Sequence, residues 1–183
     1  MKSTIILALA FAASTVATEK KVNVSESKVT WVGHKVTGKH DGTLKLQDGT
    51  LQFDDKNNLT GGSFTVDMST LSVTDLEGDS KGKLEGHLKS DDFFSTASHK
   101  TSTLVITKVD GKAGNYKVTG DLTIKGITNP ITFNMNVKDN TATANLKVDR
   151  TKFDIKYKSA SFFDGLKDAA IYDEFDLNVN LKF

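Results

Sequence analysis

The chain contains no cysteine, a single proline and a single arginine. The missing cysteines exclude disulfides, thiolate zinc sites and thiol nucleophiles, along with the acylated cysteine of a bacterial lipoprotein. One proline, Pro130, means that turns must be made by Gly, Asn and Asp. Arg150 stands alone among 24 basic residues, the rest being lysine. Guanidinium is the usual fork for base edges and phosphates, so its scarcity argues against a nucleic-acid partner. A long hydrophobic run is also missing. The apolar stretch Ile5 to Ala13 is far short of the roughly 20 residues that span a bilayer.

That short stretch has another reading. Lys2 supplies a positive start, and Thr15-Val16-Ala17 supplies small residues ahead of a cut before Thr18. Met1–Ala17 is therefore expected to be a signal peptide, with export to the periplasm and residues 18–183 forming one domain. Removing those 17 residues from 183 leaves 166, enough for one substantial core. The leader carries Lys2 and no acid, so 23 basic residues balance 23 acidic ones in the remainder. No bulk attraction to nucleic acid or anionic lipid follows from that balance.

What is abundant is alternation, the pattern of strands with one buried face. Leu44 and Leu46, then Leu51 and Phe53, alternate with polar neighbours, as do Phe64, Val66 and Met68. The same holds for Leu104 and Ile106, for Leu122 and Ile124, and for Ile131, Phe133, Met135 and Val137. Ala142 to Val148 and Phe175, Leu177, Val179, Leu181 complete the set. Gly61-Gly62, Asp110-Gly111, Ala113-Gly114-Asn115, Thr128-Asn129-Pro130 and Asp139-Asn140 read as turns between the rows, with Pro130 opening a strand. About eight antiparallel strands in an all-β sheet or barrel are predicted. Two stretches, Ser72 to Ser95 and Ser161 to Tyr172, break the rule and are expected to form short helices over a barrel mouth. In the first, Leu84 and Leu88 are spaced for one helical face, and Ser90 or Asp92 reads as a cap.

Chemistry finds little support. His34, His40, His87 and His99 match no metal-ligand spacing and read as structural hydrogen-bonding residues, with His40 the one held in reserve. The pairs Asp54-Asp55 and Asp91-Asp92 sit beside turn or cap signals rather than on one strand face. No serine has a nucleophile-elbow context, and no glycine cluster has the strand–loop–helix setting of a phosphate loop. Arg150 would either hold a phosphate headgroup or tie a strand end, the more common fate of such a residue. No catalytic residue, metal or cofactor is assigned.

Four segments together resemble a known family. They are Trp31 to Lys35 running on to Gly38 to Thr43, Gly86-His87-Leu88-Lys89-Ser90-Asp91-Asp92-Phe93-Phe94, Gly120 to Thr128, and Val148 to Tyr157. In this order they resemble the bacterial YceI-like family of periplasmic lipid-binding proteins, over nearly all of the chain after the leader. The resemblance implies an eight-stranded antiparallel lipocalin-like barrel with short helices. It further implies a long isoprenoid or fatty-acyl-type lipid bound along the axis for carriage or sequestration, without catalysis. An eight-stranded barrel has room for side chains or for one narrow ligand. Strand phase, not motif, supplies the channel candidates: Leu44, Leu46, Phe64, Val66, Met68, Leu104, Ile106, Leu122, Ile124, Phe133, Met135, Phe153, Ile155, Phe175 and Leu177, with Phe93 and Phe94 from the helical excursion. Two readings from other classes stand beside it: a packed-core structural or stress-response barrel with protein partners, and a lipid amidase or esterase. Homodimer formation is left open by the sequence.

Overall fold

In the computed structural model, which describes residues 17–183, nine strands and one helix follow one another. The strands are β1 (Thr18–Lys21), β2 (Lys28–Lys35), β3 (Gly38–Phe53), β4 (Leu59–Val73), β5 (Thr101–Lys112), β6 (Asn115–Ile124), β7 (Ile127–Lys138), β8 (Thr141–Asp149) and β9 (Ile171–Lys182). The helix α1 (Gly78–Lys89) lies between β4 and β5. Most of the expected leader, residues 1–16, lies outside the described residues. Every pairing is antiparallel, in the order β3-β2-β9-β8-β7-β6-β5-β4, and β4 pairs back onto β3. That last pairing closes the sheet.

The closed ring has eight positions although nine strands are present. β1 pairs with Thr50–Phe53 of β3, while β2 pairs with Gly38–Leu44 of the same edge. The two short strands thus share one position, separated by a turn in which Asn23 accepts from Ser25 and Ser27. The 16-residue β3 is long enough to serve both.

Several expected turns lie inside strands. Gly61-Gly62 belongs to β4, where added Cβ atoms would come within 2.6 Å of Gln52 Oε1 and of the Thr50 carbonyl oxygen. These glycines allow β3 to approach closely. The actual β3–β4 turn is Asp54 to Asn58, in which the Asp54 carboxylate accepts from the Lys56 and Asn58 amides. Asp110-Gly111 lies within β5. Thr128-Asn129-Pro130 lies within β7, with Pro130 paired to Asp121, and the reversal is made one step earlier by Lys125 and Gly126, both at positive φ. The Ala113-Gly114 and Asp139-Asn140 turns fall where the sequence places them.

The two excursions differ. Ser72 to Ser95 does contain a helix, held to β4 by Glu85, which accepts from Ser72 Oγ at 2.9 Å and the Val73 amide at 2.8 Å. Ser90 caps its C-terminal end, donating to the His87 carbonyl at 2.7 Å. Ser161 to Tyr172 forms no α-helix, only the 3₁₀ turn Lys167–Ala169. Gly165 and Lys167 both adopt positive φ, which interrupts a right-handed helix. Val148 to Tyr157 is likewise not one strand. β8 stops at Asp149, whose carboxylate accepts from the Thr151 amide and starts a 3₁₀ turn over Arg150–Phe153.

Both excursions, with the β2–β3 and β6–β7 hairpins, lie at one end of the barrel, the upper end below. Toward the other end the interior is solid, with Leu51, Phe53, Val118 and Ala142 wholly buried.

Candidate functional site

The upper barrel is not filled. It encloses a cavity of about 210 Å³ with an almost wholly apolar wall, where roughly 10–15 Å³ of the same measure holds one water. A space of that size exceeds a packing defect and suits a chain-like ligand.

The wall is built strand by strand. Leu44 and Leu46 of β3 and Phe64, Val66 and Met68 of β4 face it. Leu104 of β5, Leu122 and Ile124 of β6, Phe133 and Met135 of β7, and Phe175 and Leu177 of β9 continue the ring. Phe93 and Phe94, from the loop after α1, close part of the upper end. Their rings contact one another at 5.6 Å, and Phe94 meets Phe175 edge-on at 6.1 Å.

Three expected positions do not border the cavity. Ile106 is buried but lies two residues beyond Leu104, toward the solid end, beside a register shift between Ile106 and Lys108. Phe153 and Ile155 are buried outside the barrel wall because the chain has already left β8 for the 3₁₀ turn. Strand phase has no meaning there. Of the alternating row from Ala142 to Val148, Ala144 borders the cavity, whereas Ala142 lies in the packed end.

Other residues join the wall without having been singled out. Val29 and Trp31 of β2, Leu146 of β8 and Val179 and Leu181 of β9 follow the same alternation and were legible as such. Leu71 was not. The β3–β4 register shifts between Thr43 and Lys45, so Leu71 enters the wall with parity opposite to Phe64, Val66 and Met68. Leu84 and Leu88 reach the cavity from α1, as their spacing suggests.

Polar groups gather at the upper rim. His34 Nε2 lies 2.7 Å from Asp176 Oδ2, and Lys147 Nζ lies 2.9 Å from the other oxygen. These bonds, that from His34 foremost, hold the Asp176 carboxyl below the usual carboxylate range. His40 Nδ1 lies 2.8 Å from Asp75 Oδ2, and the Asp41 amide donates to Asp75 Oδ1. Burial alone would raise Asp75, but these donors outweigh it and the net direction is down. Both histidines thus join the β2–β3 hairpin to its neighbours. The ring of His87 packs edge-on against Tyr157 at 4.4 Å and Phe93 at 5.3 Å.

Arg150 borders the cavity, is 2% exposed and donates three hydrogen bonds to backbone carbonyls. Nε donates to the Tyr172 carbonyl, Nη1 to that of Ile155 and Nη2 to that of Ile171. Its nearest carboxylate is Asp173 Oδ1 at 3.7 Å. Burial pushes the guanidinium below its ordinary value, opposed by Asp173 and Asp149. With these donations made, Arg150 staples the start of β9 to the 3₁₀ turn. Among the described residues no cluster of three or more His, Cys, Asp or Glu has metal-holding geometry, and no helix is long and apolar enough to cross a membrane.

Solved structures share this architecture. BcnA of Burkholderia cenocepacia superposes with a TM-score of 0.69 at 20% identity, covering 87% of this chain and 98% of that one. A polyisoprenoid binding domain from Saccharophagus degradans, implicated in plant cell wall breakdown, superposes with a TM-score of 0.57 at 14% identity, covering 92% and 97%. Such identities establish the fold. Among curated relatives, Protein YceI of Escherichia coli O17:K52:H18 is 36% identical over 91 residues, half of this chain and 45% of that protein. A UPF0312 protein of Photorhabdus laumondii is 33% identical over 94 residues, or 51% and 46%. The match therefore spans less than half the length of these relatives. The family model described as YceI-like domain covers residues 21–183, almost all of the described chain, and the chain belongs to that family.

Proposed function

We propose that this protein is a non-catalytic binding protein that holds one long amphiphile, an isoprenoid or fatty-acyl-type lipid, in the upper barrel. The carrying observation is the cavity itself, bounded by side chains from β2 to β9 that present it an almost wholly apolar surface. The Saccharophagus degradans neighbour, described as polyisoprenoid-binding, supports the same ligand class.

The energetics are adequate. Burying about 500 Å² of apolar ligand surface yields roughly 12 kcal/mol at about 25 cal/mol/Å². Association costs about 4–15 kcal/mol, so a flexible chain binds usefully only if most of its length is enclosed. Water exclusion supplies the affinity and no bond is made or broken. Export through residues 1–17 to the periplasm, with carriage or sequestration of the lipid there, completes the proposal. Titration with a fluorescent fatty-acyl probe tests it: saturable one-to-one binding is expected, and a linear, non-saturating signal rejects it.

A further inference from the structure

The cavity is open at one end and shut at the other. Of the described residues that border it, only Tyr172 and Glu174 are exposed, and both stand where β9 begins. Pairing with the neighbouring strand is interrupted there, Gly33 of β2 pairing with Phe175 and Lys35 with Ile171. The mouth therefore lies between the end of β2 and the start of β9.

The floor is marked by the strands that run past it. On β7 Met135 borders the cavity, whereas Val137, the next inward position, packs on the core below. On β8 Ala144 borders it while Ala142, wholly buried, does not. On β9 the border ends at Leu181, which pairs with Ala142. Beneath this layer Tyr116, paired with Met135, is 5% exposed, and its hydroxyl accepts from the Leu59 amide at 3.2 Å. Lower still, the Phe53 and Phe183 rings meet at 5.6 Å, with Lys20 Nζ 4.9 Å and 5.1 Å from their centres. Tyr116 is fixed by its hydrogen bond, whereas Met135 is unbranched and adapts to what it touches. Met135 and Leu181 are thus the last groups that a descending chain meets.

The depth follows from the strand between mouth and floor. Tyr172 and Leu181 are nine residues apart on β9, which at about 3.3 Å each and a tilt of about 40° descends roughly 23 Å along the axis. An extended chain advances about 1.2 Å per bond, as three polypeptide bonds span about 3.5 Å, so roughly 18–20 carbons fit between the two.

We infer that Met135 and Leu181 form a chain-length stop. The preferred ligand is a single-chain amphiphile whose tail of roughly 18–20 carbons ends against them, its polar end left at the Tyr172–Glu174 mouth. This rests on the lipid-binding reading and adds a limit to it. A longer chain leaves its surplus carbons in water, where burial contributes nothing.

Displacement of a fluorescent fatty-acyl probe by saturated fatty acids of about 10 to about 22 carbons tests this, since each buried methylene should strengthen binding about fourfold. In wild type that rise should level off at roughly 18–20 carbons. Met135→Ala removes three heavy atoms, room for about three methylenes. It should carry the rise about three carbons further, with a gain of up to about fiftyfold for the acid of that length. Met135→Phe should end the rise at a shorter chain. Val137→Ala, a truncation below the stop, should leave the limit in place, with urea midpoints showing that each variant folds. Wild-type affinity that climbs to the longest acid, or a limit that both Met135 variants leave unmoved, would overturn the stop while the lipid-binding reading stands. So would a Val137→Ala protein whose limit shifts as far as that of Met135→Ala. Wild type from which no acid displaces the probe, the probe itself failing to saturate, would reject the lipid-binding reading and the stop with it.

Discussion

Placing a large side chain in the cavity separates a binding channel from a loosely packed core. Ala144 is the position for it. It lies on β8, is 5% exposed, borders the cavity, and pairs with Met135 on one side and Val179 on the other, both wall residues. In Ala144→Phe the ring would enter open space rather than filled core. Burying a Phe side chain is worth about 1.5–3 kcal/mol, less any strain from a poor fit of about 1–3 kcal/mol, so the unliganded protein should change stability little in either direction. The ligand loses more. A ring across the bore displaces about four methylenes at about 0.8 kcal/mol each. That total of roughly 3 kcal/mol corresponds to about a hundredfold weaker binding at 1.4 kcal/mol per factor of ten. Probe titration gives the affinity and urea denaturation the stability. Unchanged affinity in a folded Ala144→Phe protein would refute the placement of the ligand. A stability loss of several kcal/mol would show that the space was already occupied by core.

Four further expectations follow from named contacts. Phe133→Asp puts a carboxylate into the apolar wall, costing several kcal/mol unless it protonates. It should abolish probe retention, whereas Asn134→Asp, at the exposed neighbouring position, should leave it nearly unchanged, with circular dichroism confirming the fold of both. Gly42→Ala should destabilise by about 3 kcal/mol in urea. Its Cβ would lie 2.5 Å from Trp31 Cζ2 and against the backbone carbonyl of Ser72, and an intact midpoint would contradict that packing. Arg150→Met strips the donors from three carbonyls, at a cost of about 3 kcal/mol; a lowered thermal denaturation midpoint should show it, and an unchanged midpoint would contradict the stapling role. On acidification, Glu85, Asp75 and Asp176 bind protons less readily folded than unfolded. Their stabilisation is therefore complete above the ordinary carboxylate range near pH 4 and fades as pH falls through their lower folded values. Denaturation midpoints that rise below pH 4 would reverse that sign.

The barrel was legible because alternation carries through most strands, and one inward face per strand is what a closed sheet needs. Phe64, Leu104, Leu122, Phe133 and Phe175 border the cavity because their strands keep phase there. Errors cluster where phase ends. The bulge after Met68 brings Leu71 inward on the other parity, and nothing in Ser69-Thr70 announces it. The 3₁₀ turn at Arg150 removes Phe153 and Ile155 from the wall, although Asp149 followed by Arg150-Thr151 carried a local capping signal. Turn chemistry misled where glycine served close approach rather than reversal, as at Gly61 and Gly62. The fate of Arg150 was read as a strand-end tie, and the partners are backbone carbonyls with Asp173 nearby rather than its neighbour Asp149. The Val36 amide's bond to the Ala170 carbonyl spans most of the chain, and no local pattern records it.

The most direct measurement of the central claim is native mass spectrometry of the protein recovered from the periplasm of an expressing cell, before and after organic extraction. A retained lipid should appear as one discrete added mass per protein, lost on extraction and found in the organic phase as a long-chain amphiphile. The polypeptide beneath it should begin at or near Thr18. A protein that emerges at its bare polypeptide mass, and then takes up no fatty-acyl or isoprenoid chain on incubation, would contradict the account.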